Sequence, residues 1–171
     1  MTGTRHAIVQ RRRLRASVAS AVLLLAIAST AKPVRAADLF DTMRDWGNFD
    51  TFCALIEHAG LISTFREPGP ITVFAPSDRA FAQLERFEIA ALKQPAARER
   101  LRALILYHVV PGRLKVFDLL REIPRATVQG KTVKSLQMGN AMMVNDAFID
   151  REDIAASNGL VHEIDRVLTP P

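Results

Sequence analysis

Leu104-Ile105-Leu106-Tyr107-His108-Val109-Val110-Pro111-Gly112 is the stretch on which the fold turns. It begins as the apolar end of a helix, passes into a β-branched run and closes on a Pro-Gly turn. The single tyrosine of the chain stands at the junction, beside a histidine. Such a pair is either a fragment of an active site or a polar lock on a buried crossover. Upstream, Leu101, Leu104, Ile105 and His108 recur at i, i+3, i+4 and i+7, with Arg98 and Arg102 opposite. This spacing predicts an amphipathic helix over Ala97–His108 with the histidine on its core side.

Before that helix the chain reads as helical with one strand. Leu39, Met43 and Trp46 give a first helix over Asp38–Trp46, stopped by Gly47. Asn48 is placed to cap a second, whose stripe is Phe49, Phe52, Cys53 and Ile56 and whose end is Gly60. Leu61–Phe65 is a short apolar segment, and Glu67-Pro68-Gly69-Pro70 is a turn. Ile71–Ala75 is β-branched and aromatic with little polar content, so it is expected to be a central strand. Pro76 ends it, and Ser77 or Asp78 caps a helix that docks through Ala80, Phe81 and Leu84. Glu88–Leu92 is a short helical piece broken at Gln94-Pro95.

After Gly112 the pattern changes to short strands. Lys115–Arg121 is a short helix. Ala126–Gln129 and Thr132–Leu136 read as a hairpin about Gly130. Ala141–Val144 and Ala147–Ile149 form a second, about Asn145-Asp146. Asp153-Ile154 leads to a turn at Ser157-Asn158-Gly159, and Leu160–Leu168 is the last strand. Helices in front and antiparallel strands behind predict an α+β domain without a parallel βαβ series.

Charge separates the ends of the chain. Of the 23 basic residues, seven (Arg5, Arg11, Arg12, Arg13, Arg15, Lys32, Arg35) lie in residues 1–36, which hold no acidic residue. The remaining 16 face 18 acidic ones, so the formal +5 becomes −2. The basic balance belongs to the leader, and a nucleic-acid partner is not expected. Met1–Arg15 is a basic n-region and Ala16–Ala28 an apolar run, short of the roughly 20 residues that span a bilayer. Residues 1–36 therefore read as a signal peptide cleaved after Ala36, with Ala31 the second choice. Arg11-Arg12-Arg13-Leu14 leaves twin-arginine export open beside the general route. Residues 37–171 are then the working domain, periplasmic or secreted. Its lone cysteine, Cys53, permits no internal disulfide. His58 lies five positions on, about 140° around the helix, so the two form no dyad.

Three separated blocks carry a resemblance. They are Thr72-Val73-Phe74-Ala75-Pro76-Ser77-Asp78-Arg79-Ala80-Phe81, Tyr107-His108-Val109-Val110-Pro111-Gly112, and Asn158 through Leu168. In order and spacing they resemble the fasciclin (FAS1) domain family over essentially all of residues 37–171. The resemblance implies a β-strand wedge wrapped by several helices, antiparallel in its strands, exported and adhesive, with no established catalysis and no cofactor. It also implies a partner-binding role for Tyr107, His108, Asp153 and Ile154. Glu163 departs from the mostly apolar residue of relatives, and one copy of the module is present where animal adhesion proteins repeat it.

The function expected is a secreted adhesion or binding module for an extracellular or envelope protein or polysaccharide, monomeric or weakly associating. Residues 93–134 hold 10 basic and 3 acidic residues and could meet an anionic surface, unless acidic neighbours mix with them in the fold. Two alternatives stand. One is a periplasmic hydrolase or metal-binding protein using His108 and His162, although no metal-ligand spacing such as His at i and i+4 occurs. The other is a carrier of apolar ligands in a pocket between helices and strands.

Overall fold

A computed structural model describes residues 36–171 of the chain. The signal-peptide reading of residues 1–36 lies, but for Ala36, outside the described residues. The first helix, α1 (Leu39–Trp46), is capped by the Asp38 carboxylate on the Asp41 amide at 3.0 Å and ended by Gly47 in the left-handed region. Leu39, Phe40 and Met43 face inward. Trp46, expected on that stripe, is instead 42% exposed at the helix end, with the Arg151 guanidinium 5.8 Å from its ring centroid.

The second helix, α2 (Asp50–Ala59), buries the predicted stripe of Phe49, Phe52, Cys53 and Ile56. Its cap corrects the sequence reading. Asn48 does not cap it; the Asp78 carboxylate does, from 28 residues away, accepting from the Asp50 and Thr51 amides at 3.2 and 2.7 Å. Helix α3 (Ile62–Arg66) leads to β1 (Ile71–Pro76). Ser77 caps α4 (Asp78–Phe81) through the Ala80 amide. Then follow α5 (Arg86–Leu92), a 3₁₀ turn at Pro95–Ala97, α6 (Arg98–Tyr107), β2 (Val109–Pro111) and α7 (Val116–Leu119).

The back half is all strand: β3 (Arg125–Ala126), β4 (Thr132–Val133), β5 (Ser135–Met138), β6 (Ala141–Val144), β7 (Ala147–Ala156) and β8 (Gly159–Ile164). Six strands form one sheet in the order β2-β1-β8-β7-β6-β5, while β3 and β4 pair apart from it. The α+β class holds, but the sheet is mixed. β1 runs parallel to β8, from Ile71↔Gly159 to Pro76↔Ile164, and every other pair is antiparallel. No local turn joins β1 and β8, so no local pattern announces their direction; the long route of the chain between them sets it. β1 is central, as its apolar run requires, with both faces covered.

Three strand boundaries move. The first hairpin pairs only Arg125↔Val133 and Ala126↔Thr132, because Ser135 leaves to pair with Val144. β7 runs on to Ala156 through two register shifts, so Asp153-Ile154 sits within a bulged strand rather than a connection. β8 stops at Ile164. Asp165 turns out and accepts the Phe148 amide at 2.7 Å.

Two apolar clusters flank the central strands. One joins α1, α2 and α6 to Val73, Ala75, Ile154 and Val161. The other gathers Phe74, Tyr107, Val110, Leu119, Val144, Ile164 and Leu168. Asn158 ties the edges together. Its carboxamide accepts the Leu39 amide and donates to the carbonyls of Phe65 and Glu67, each at 2.9 Å. Beside it, a Cβ on Gly159 would lie 2.0 Å from the Ile71 carbonyl oxygen, so only glycine lets β8 approach β1.

Candidate functional site

Helix α6 ends with carbonyls that have no partner within the helix. His108 closes that end. Its Nδ1–H donates to the Leu104 carbonyl at 2.8 Å, and Nε2 accepts the Leu168 amide at 3.0 Å, a tautomer assigned from the bonding pattern. The ring is wholly buried and lies 5.6 Å from the Phe52 ring. Burial lowers its pKa to about 4, against the smaller opposing pull of the Leu104 bond. The imidazole is therefore neutral at physiological pH. Next to it, the Tyr107 hydroxyl donates to the Thr132 carbonyl and accepts from the Asn145 amide group, both at 3.0 Å. Between them the pair straps α6, the chain end, the β3–β4 hairpin and the β6–β7 turn.

A second clasp lies at the β7 bulge. His162 Nδ1 accepts the Asp153 amide at 3.2 Å, and Nε2–H donates to the Leu114 carbonyl at 2.8 Å. Its ring stacks on Phe74 at 5.5 Å. Burial lowers its pKa, countered by the Leu114 bond and by Asp153 and Glu152 nearby. The Asp153 carboxylate accepts the Val116 amide at 3.1 Å and so starts α7. Asp153 takes φ +57° at this point, a backbone region costly for most side chains and milder for Asp.

The four residues nominated for partner binding thus divide. Tyr107 belongs to one apolar cluster and Ile154 to the other; both are buried, as is His108. Asp153 alone is half-buried. The structure does not gather the four into one exposed patch.

Acid–base or metal chemistry would need free ring nitrogens, and all four on His108 and His162 already have backbone partners. Among the described residues no cluster of three or more His, Cys, Asp or Glu could hold a metal ion. Cys53 is buried and its thiol is pushed up to about 12, mostly by burial and then by Asp50. His58 is exposed and donates to the Lys93 carbonyl, away from Cys53. Glu163 is buried in β8. Burial raises its pKa, and Arg151, 3.5 Å away, pulls against that rise.

Among the grooves on the surface, two lie beside helices of interest. The larger, about 520 Å³, lies between α5, α6 and the C-terminal segment and is lined by Leu84, Phe87, Leu92, Ala103, Leu104 and Val167. A smaller one of about 190 Å³ lies between α7 and the β5–β7 strands. The ten basic residues of 93–134 do not mix with acidic neighbours as ion pairs. Among the described residues the paired cations are Arg66, Arg151 and Arg166.

Sequence reasoning found the crossover lock but missed Asp78 as the cap of α2, Asn145 as the second partner of Tyr107, and Asn158 as a three-way tie. Each acts across a long sequence separation. The local signals were there but pointed elsewhere: Asp78 read as a cap of its own helix, and Asn145 and Asn158 as turn residues.

Short helices packed on a six-stranded mixed sheet, with two buried histidines bonded to backbone, make this an α+β domain. The fasciclin-domain model matches residues 47–170, and the chain belongs to that family. It is 31% identical over 146 residues to protein sll1483 of Synechocystis sp., covering 85% of this chain and 81% of that one. It is 29% identical to human periostin over 134 residues, 77% of this chain but 16% of periostin. A solved FAS1 domain pair from the insect cell adhesion molecule fasciclin I shares the fold with a TM-score of 0.59 at 21% identity, covering 72% of this chain and 46% of that one. Among the described residues no helix is long and apolar enough to cross a membrane.

Proposed function

We propose that this is an exported, non-catalytic binding module that attaches to an extracellular or envelope protein or polysaccharide, working without a cofactor and as a monomer or weak oligomer. One observation carries the reading: the side chains best suited to chemistry are spent on holding backbone. His108, His162, Tyr107 and Asp153 each bond to main-chain groups of distant segments. In this reading they shape the Gly112–Val116 loop and the β7 bulge, and contact falls on what they hold. The leader-like composition of residues 1–36 supports export.

The experiment is retention of envelope and extracellular-matrix fractions on the immobilised chain, with Tyr107→Phe and Asp153→Ala as comparators and thermal melts for each. Retention that falls only as the folded fraction falls supports the scaffold role. A fully folded variant that retains nothing would move contact onto the side chain itself. Failure of the parent chain to retain any protein or polysaccharide sinks the proposal.

A carrier of apolar ligands would use another place than the helix–strand pocket expected from the sequence: the mainly apolar groove between α5, α6 and the C-terminal segment. Its volume falls within the range of small-molecule sites. Binding of an apolar fluorophore that is lost in Ala103→Trp would favour it; no binding would remove it.

A further inference from the structure

Asn158-Gly159 is the single Asn-Gly pair in the chain. Such a pair is chemically labile, because glycine has no Cβ to keep the neighbouring carboxamide from its backbone nitrogen. In the fold this carboxamide is fully engaged. Its oxygen accepts the Leu39 amide, and its nitrogen donates to the Phe65 and Glu67 carbonyls, each at 2.9 Å. An amide on one side and two carbonyls on the other fix which end is which. The main chain beside it is held as well. The Ser157 amide donates to the Ala37 carbonyl at 2.9 Å, and the Ile71 amide to the Asn158 carbonyl at 3.3 Å. Gly159 is buried in β8, paired with Ile71 on one side and Ala156 on the other.

Deamidation of this pair needs only water. The Gly159 nitrogen gives its proton to a solvent base and attacks Asn158 Cγ. The N–Cγ bond forms, the Cγ–Nδ2 bond breaks, and Nδ2 leaves as ammonia with a proton from water. Water then opens the cyclic imide at either carbonyl. One opening gives aspartate; the other gives isoaspartate, whose main chain runs through the former side chain and is one atom longer. No electrons change hands. The fold opposes the first step twice: Gly159 is shut away from solvent base, and loss of Nδ2 forfeits the bonds to Phe65 and Glu67. It opposes the products too. A carboxylate at this position turns an acceptor toward the Phe65 and Glu67 carbonyls, which lose their donor. Arg66 and Arg113 line the same hollow and draw the new charge, but they donate to Asp41 and to the Ala156 carbonyl. Isoaspartate lengthens the chain where a Cβ on Gly159 would already lie 2.0 Å from the Ile71 oxygen.

We propose that Asn158-Gly159 is a latent deamidation site. It is sealed while residues 37–39 and 65–67 are docked on the β7–β8 turn, and it converts irreversibly when that corner opens. A domain that has opened there is marked, because the converted side chain no longer remakes the three bonds. The inference stands apart from the protein or polysaccharide partner proposed above, and its test uses neither.

The test follows the full chain at mildly alkaline pH, reading the mass gain of the peptide that carries Asn158 and its isoaspartate by enzymatic methyl transfer. Conversion is expected to be at least about a hundredfold slower in buffer than in guanidinium chloride. Asp38→Ala removes the cap of α1 beside the tie and is expected to speed conversion in buffer about fivefold. Asn158→Ser, read in denaturant so that its folding does not matter, is expected to show no mass gain in this peptide. Chains converted in denaturant and returned to buffer are expected to melt at least about 5 °C below unconverted chains from the same cycle, or to stay unfolded. Equal rates in buffer and denaturant, or an Asp38→Ala rate equal to the parent's, overturns the proposal. So does a mass gain that persists in Asn158→Ser, or a converted chain that melts with the unconverted one.

Discussion

The crossover at Tyr107-His108 and the bulge at Asp153-Ile154 use the same device with different degrees of closure. Each places a buried histidine between two backbone groups of distant segments. At the crossover both side chains are sealed from solvent, and His108 holds the chain end itself. At the bulge the histidine is sealed but its partner Asp153 is half-buried and sits at positive φ. One clasp is thus part of the core, and the other ties the core to a half-buried surface residue. A lesion in the first is expected to cost global stability, and one in the second to loosen α7 locally.

The largest expected effect lies on the strand pair against which both clasps lean. Gly159→Ala drives a methyl group into the Ile71 carbonyl. It is expected to cost on the order of 4 kcal/mol or to prevent folding, read by denaturant unfolding. A loss under about 1 kcal/mol would mean that β1 and β8 can separate, and that the clasps bear the load alone. His108→Ala comes next, at roughly 3 kcal/mol, from a cavity and two backbone groups left unpaired. His162→Ala, measured beside it, decides whether the two clasps differ in weight.

The pH dependence of stability sharpens the same contrast. An imidazole at 6.5 in the unfolded chain and about 4 in the fold takes up its proton first when unfolded. Stability is therefore complete above about pH 7 and falls as the pH drops from 6.5 toward 4, by about 3 kcal/mol for His108. His162 moves the same way. Glu163, with its pKa raised, opposes them near and above its ordinary 4.5. His108→Gln is expected to flatten most of the slope; an unchanged slope would place it elsewhere. The smallest effect belongs to the bulge: Asp153→Ala is expected to cost about 1 kcal/mol through the lost Val116 cap, and Asp153→Asn less. Amide exchange should then quicken in residues 116–119 and not in α6.

Much of this arrangement was legible in local pattern. The stripes of α2 and α6, the buried run of β1, the Asn145-Asp146 turn and the core-side place of His108 all follow from periodicity over a few residues. What escaped the reading depends on distant chain. The parallel β1–β8 pair has no connecting turn to reveal it. The expected strand stopped at Ile149, while in the fold β7 runs on to Ala156, two register shifts carrying Asp150, Arg151, Glu152 and Asp153 past β8. Trp46 scored as core by spacing, yet the helix ends there and the ring turns to Arg151. At the candidate site, the resemblance drew attention to Tyr107, His108, Asp153 and Ile154, and three of the four are buried.

The bond from the Leu168 amide to His108 has a mechanical consequence. A pull applied at the C-terminal side reaches the fold at Val167-Leu168 before it reaches any strand. His108 is the first anchor met. Behind it, β8 is hydrogen-bonded on both sides, to β1 and to β7, so tension would be shared across two ladders. Single-molecule stretching between the two ends should show a small early yield for release of the C-terminal strap, followed by one larger rupture. His108→Ala should erase the first event, and an unchanged force trace would show that the strap carries no tension.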